Sequence, residues 1–209
     1  MFNDKYGLTQ AVLEGRKTMT RRIVPKHILN EVEKYQDEYY NGALETISEK
    51  DAILAICTYE HRFKLPYKVG EVVAIAQNYK DANVTLLDYL KATDNKGKGY
   101  DKGCSNKEFV KADLMPHHIR ITNVRVERLQ DISDDDCYRE GVETEIGKYF
   151  NYAKVNNLGF HTDPRVVFSA LINKLSGKGT WAKNPYVFVY EFECINPKEI
   201  DQIRKTIVL

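Results

Sequence analysis

Apolar residues recur along this chain with two different periods, and the switches between them mark its elements. Leu8, Ala11 and Val12 share one face at helical spacing, and Gly15 behind them suits the end of a short helix. The densest basic stretch follows at once: Arg16-Lys17-Thr18-Met19-Thr20-Arg21-Arg22. Ile28 to Tyr40 alternates charged and apolar positions as a helix does, whereas the remainder of residues 26–65 keeps no clear period. Pro66-Tyr67-Lys68-Val69-Gly70-Glu71 reads as a turn, leading into Val72-Val73-Ala74-Ile75-Ala76 as a buried strand. Residues 91–107 hold Gly97, Gly99 and Gly103 among lysines, asparagines and aspartates, which predicts a long exposed loop.

The second half is more regular. Ile119 and Ile121 alternate in one parity, Val124 and Val126 in the other, so one extra residue at Thr122-Asn123 predicts a β-bulge. Ser133 and Asp136 stand at capping-box spacing before a helix that Gly141 ends. Asp163-Pro164 opens another helix with a stripe of Val167, Phe168, Leu171, Ile172 and Leu175, closed by Gly177. Tyr186 to Phe192 is a strand by composition and period. Few helices around non-local strands predict one α+β domain over residues 1–209, built on a bent or closed sheet.

Composition narrows the classes of partner. Among 209 residues, 31 Lys and Arg oppose 30 Asp and Glu, for a net charge of +1. That excludes a chain basic throughout, but not a local basic patch able to meet phosphate. Hydrophobic residues at 43% and aromatics at 11% exclude wholesale disorder. No apolar run approaches the roughly 18 residues of a membrane span, and Met1 to Tyr6 lacks a signal peptide's basic start. A cytoplasmic protein with no membrane partner is expected. Cys57, Cys104, Cys137 and Cys194 form no C-x-x-C pair and read as free thiols, so neither metal nor cofactor is expected. His117 and His118 are neighbours on a strand, point to opposite faces and cannot easily share a metal. Asp134-Asp135-Asp136 reads as a helix start favoured by the dipole.

Four ordered segments carry a family resemblance. Gly15-Arg16-Lys17-Thr18-Met19-Thr20-Arg21-Arg22 resembles the G-x-K-x-x-E-x-R signature of ASCH domains, a branch of the PUA-like β-barrel superfamily. Pro66 to Val72 is similar to the strand entry of longer members. Arg120 to Ile132, with Glu140-Gly141-Val142, is similar to the central strand and following helix, and Trp181 with Asn184 to Phe188 to the closing strand. Residues 26–65, 80–115 and 143–162 look like the insertions of the longer phage and bacterial members.

The resemblance implies a PUA-like barrel with a basic cleft beside the signature that recognises RNA or a modified nucleoside. It also implies a candidate activity: small bacterial ASCH proteins hydrolyse the acetyl amide on the exocyclic amine of acetylated cytidine. Their catalytic roles fall on Lys17, Thr20 and Glu140, and the hydrolase-type members carry Thr where Thr20 stands. In this chemistry a lysine with a lowered pKa takes the Thr20 proton, while Glu140 serves the amine side. Arg16, Arg21 and Arg22, together with Lys26, are candidates for phosphate contact, and Tyr79 and Trp181 for stacking on a base. Three blander readings stay open. Lys17 can be a surface lysine, Tyr79 and Trp181 can be core aromatics, and buried arginine–glutamate pairing accounts for the motif without turnover. A protein-interaction module, with the insertions as its surface, is the third class of function.

Overall fold

The structure, a computed structural model, describes residues 2–40, 47–60, 62–93, 97–145, 148–150, 161–196 and 199–200. Its centre is a long antiparallel pair, β3 (His118–Arg128) against β6 (Tyr186–Ile195). On the outer side of β6 lies β1 (Met19–Ile23), and on the outer side of β3 lies the short β2 (Val72–Ala74), giving the order β1-β6-β3-β2. The fold is mixed α+β, and this sheet curls into a half-barrel. The expected buried strand through Ala76 is shorter than predicted. Pairing is last seen where the Ile75 N–H reaches the His117 carbonyl, and Val72–Ala74 form a half-buried edge rather than a buried strand.

The predicted bulge is present, and it decides which residues share a face. Ile121 pairs with Phe192 and Asn123 with Glu191, leaving Thr122 as the extra residue. Before the bulge, Ile119 and Ile121 point to the face that carries Phe188, Tyr190 and Phe192; after it, Val126 returns to that face. The same shift of parity turns Arg125 and Glu127 to the opposite face, beside Val189, Val187 and Arg21.

Each face is then covered. The first packs on α2 (Lys26–Tyr40) and α3 (Glu49–Thr58) through Ile28, Val32, Ala52, Ile53 and Ile56. Both helices come from the segment whose period was unclear beyond Tyr40, and Ser48 caps α3 by accepting from the Asp51 N–H. The second face packs on α6 (Asp134–Arg139) and α7 (Pro164–Ser176), with Cys137, Val167, Phe168, Leu171 and Ile172 buried. The α6 and α7 boundaries match their start and stop residues. Ser133 and Asp163 cap through backbone N–H groups, and Pro164 opens α7. The stripe of α7 is buried except for Leu175, which is 37% exposed. Helix α1 (Leu8–Leu13) leads into β1, α8 (Thr180–Lys183) leads into β6, and β4 (Glu143–Glu145) pairs with β5 (Lys148–Phe150).

Residues 91–107 are not one exposed loop. They include α5 (Tyr100–Ser105), which packs with α4 (Leu86–Lys91) around Tyr79, Tyr89 and Met115. Gly103 is not a loop glycine: it is buried in α5, where a Cβ would lie 2.2 Å from Cε2 of the Tyr79 ring. All four cysteines are free thiols. No helix among the described residues is long and apolar enough to cross a membrane.

Candidate functional site

Lys17 sits just before β1, on the same side of the extended chain as Met19 and Arg21. Its side chain is 2% exposed. A buried ammonium must place its three protons, and each has an acceptor: the Met19 carbonyl at 2.6 Å, the Glu140 carbonyl at 3.0 Å and Glu140 Oε2 at 2.5 Å. Glu140 is delivered by the C-terminal end of α6, where its own N–H bonds the Asp136 carbonyl. Burial holds the Lys17 pKa below its ordinary value; Glu140 opposes the shift, while the charges of Arg22 and Arg21 add to it.

The second oxygen of Glu140 belongs to Arg21. Arg21 Nη1 donates to Glu140 Oε1 at 3.1 Å, while Nη2 reaches Glu127 Oε1 at 2.6 Å and Asp136 Oδ2 at 2.7 Å. Asp136 also accepts from Arg125 Nη2 at 2.6 Å, and Arg125 Nη1 donates to Glu191 Oε1 at 2.5 Å. Glu191 Oε2 in turn takes Arg139 Nη2 at 2.6 Å, and Arg139 Nε donates to the hydroxyl of Thr18, next to Lys17. The contacts therefore close into a ring of four cations and four carboxylates that begins at Lys17 and returns to its neighbour.

A cavity of about 220 Å³ opens on this ring. Lys17, Thr20, Arg21, Arg22 and Glu140 give it a polar side, and Phe2, Phe168 and Leu171 an apolar one. Thr20 is 9% exposed, and among the described residues its hydroxyl makes no hydrogen bond. Phe2, Thr20 and Arg22 also wall a second cavity of about 150 Å³, lined by Val73 to Ala76 and Ile119. The walls of this second cavity include residues of both edge strands, β1 and β2.

Lys17, Thr20 and Glu140 are brought together at one cavity, with Arg21 and Arg22 beside them. The other predicted residues are placed elsewhere. Arg16 turns outward to Glu14 at 2.6 Å and Glu143 at 2.8 Å. Tyr79 is fully buried, its ring stacked on Tyr100 with centroids 5.5 Å apart and its hydroxyl accepting from the Lys111 N–H, so it cannot stack on a base. Trp181 stands behind the cavity wall, edge-on to Phe168 at 6.2 Å. The basic stretch is also not a free positive surface. Arg16, Lys17 and Arg21 each meet carboxylates; for the buried Lys17 and Arg21 a counter-charge is required, because burying an ammonium or guanidinium without one is too costly.

Glu127, Asp136, Arg125, Arg139 and Glu191 were not anticipated at the site. Asp136 does lie in the first turn of α6, but its carboxylate is a ligand of Arg21 and Arg125 rather than a mere dipole partner. The bulge was the available signal: correcting the parity of β3 after Thr122 places Arg125 and Glu127 opposite the apolar face. Among the described residues, no group of three His, Cys, Asp or Glu side chains is arranged to hold a metal ion. The chain matches no protein-family model, no curated protein and no solved structure.

Proposed function

We propose that the half-barrel is a PUA-like barrel of the ASCH type. In this reading it recognises a modified nucleoside in the cavity at Lys17 and removes an acyl group from its exocyclic amine. One observation carries the proposal: a buried Lys17–Glu140 pair forms the polar floor of a cavity whose wall holds the unengaged Thr20 hydroxyl. The dimensions agree with a small ligand. About 220 Å³ lies below the ~300–1,000 Å³ usual for ligand pockets, and the adjoining 150 Å³ brings the two cavities into that range. A length of polynucleotide does not fit inside, and the charge-matched ring offers little excess positive potential to attract one.

The pair supplies both halves of the acid–base work. Burial already favours the neutral amine of Lys17, so passing one proton from Lys17 to Glu140 leaves a base and an acid side by side without changing net charge. Thr20 Oγ then attacks the acyl carbon and gives its proton to Lys17 Nζ. The C–N bond breaks as Glu140 protonates the departing amine, returning the ionised pair and an acyl-threonine ester. Water cleaves the ester by the same groups in reverse.

The test is hydrolysis of N4-acetylcytidine by the purified protein, followed by absorbance. Turnover is expected, with a loss of ~10²–10⁴-fold in Lys17→Ala and Glu140→Ala, the usual weight of a general acid or base. A similar or larger loss is expected in Thr20→Ala. Unchanged turnover in all three variants overturns the assignment. A second reading, binding of single-stranded RNA, is favoured by Arg22 on the wall common to both cavities and by exposed Lys26 nearby in sequence. It predicts affinity that falls steeply between 50 and 200 mM salt, roughly in proportion to the phosphates contacted.

A further inference from the structure

On the outer side of α3, away from the Lys17 cavity, lies a groove of about 610 Å³. Its volume is within the range of ligand sites. The end of α3 and the segment that follows it build the groove against Val124 of β3, with buried Cys57 and Leu65 as its floor and Phe63 half-buried on its wall. Burial pushes the Cys57 thiol up to about 11, so this floor is an inert apolar surface rather than a reactive one.

Two features of the rim point to an occupant. Tyr59 at 79% and Val69 at 62% are the most exposed large apolar side chains among the described residues, and both line this groove. Lys64 and Lys68 are the charged residues that line it; both are exposed, and among the described residues neither ammonium group meets a carboxylate, the Glu71 carboxylate being taken by the Lys68 backbone N–H at 2.8 Å. The Thr58 hydroxyl is spent on the Leu54 carbonyl at 2.7 Å, so it does not compete with the ammonium groups as a donor.

We propose that this groove binds a soluble amphiphile with an apolar tail and a single carboxylate head. The tail covers Tyr59, Phe63 and Val69, and the head lies between the ammonium groups of Lys64 and Lys68. An apolar channel with positive charge confined to its mouth complements such a molecule in both charge and polarity, and lysines suit a carboxylate as mobile point charges. The site is independent of the Lys17 cavity and of what that cavity does.

The experiment is calorimetric titration of sodium decanoate into the full-length protein, with decylamine as the tail-matched cation. Decanoate is expected to bind at least tenfold more tightly than decylamine. Lys64→Glu with Lys68→Glu should weaken decanoate at least tenfold and remove its preference over decylamine. Val69→Ser, an uncharged change at an exposed position, should weaken both. Each variant should keep the thermal midpoint of the parent, since all three positions are exposed. Equal binding of the two amphiphiles, or decanoate binding undiminished by charge reversal, overturns the proposal. Adsorption to phosphatidylglycerol vesicles without uptake of decanoate overturns it in favour of a membrane surface.

Discussion

At Lys17 two opposed effects meet in one side chain. Burial disfavours the ammonium, while Glu140 and two carbonyls at hydrogen-bond distance favour it. Breaking such a pair from one side leaves the other charge buried, which costs ~3–5 kcal/mol. Glu140→Ala is therefore expected to lower the unfolding free energy by about that much, measured by urea titration, and Lys17→Met in the same chain to recover part of the loss. The pH dependence has a definite sign. Lys17 holds its proton less tightly when folded than in the unfolded chain, whose amine titrates near 10.5. Between the lowered native value and 10.5 the unfolded state carries more protons, so stability from this residue is full above 10.5 and is lost as pH falls through the native value. The difference in melting temperature between parent and Lys17→Met should thus move in favour of the parent as pH is raised toward 10.5. A flat difference across that window would show that the amine is not shifted.

Strand β3 shows how one residue can redistribute function between two faces. Alternation unbroken through Thr122 would keep all odd-numbered residues on the apolar face; because the bulge absorbs Thr122, Val124 and Val126 join Ile121 there and Arg125 and Glu127 turn away. Deleting Thr122 removes the extra residue and leaves Ile121 opposite Phe192 and Asn123 opposite Glu191, so a cooperative thermal transition, followed by circular dichroism, should persist. Its loss would mean that the fold needs the bend made by the bulge and not only the change of parity. Helix α5 gives a second case. Gly103 has ordinary backbone angles, so its constraint is the Tyr79 ring rather than conformation. Gly103→Ala should cost ~1–3 kcal/mol as an overpacking change. Shortening the ring by Tyr79→Leu in the same chain should relieve part of it.

For the whole molecule, a net charge of +1 hides a separation that folding closes. Residues 1–30 carry six lysines and arginines against two acids, whereas residues 131–145 carry seven acids against one arginine. The fold apposes these segments at the Lys17–Glu140 and Arg21–Asp136 pairs. The ring they enter makes the protein acid-sensitive through Glu191. Burial works to raise its pKa, but hydrogen bonds from Arg139 and Asn123 and the charge of Arg125 hold it below 4.5. Its contribution is present above 4.5 and is lost as pH falls through the lower native value. Arg139→Ala should move the acid midpoint of unfolding upward, toward neutral pH, as read by circular dichroism.

Local signals settled much of the chain. Caps at Ser133 and Asp163, the α7 stripe, the parity slip at Thr122 and the period of β6 are short-range patterns whose physics acts within a few residues. The grouping of Lys17, Thr20 and Glu140 came from family resemblance, since nothing in their spacing alone connects positions 17 and 140. What only the tertiary structure decided is the company each charged and aromatic side chain keeps. Arg16, Lys17 and Arg21 read as one basic run, yet Lys17 and Arg21 are buried against acids from a distant segment, because a charge taken from water must find its counter-charge wherever the chain can bring one. Tyr79 read as a base-stacking surface, yet it is sealed under Tyr100 and Gly103. Periodicity fixes which face a side chain takes. Only the packing of remote elements fixes whether that face meets water, a carboxylate or another ring.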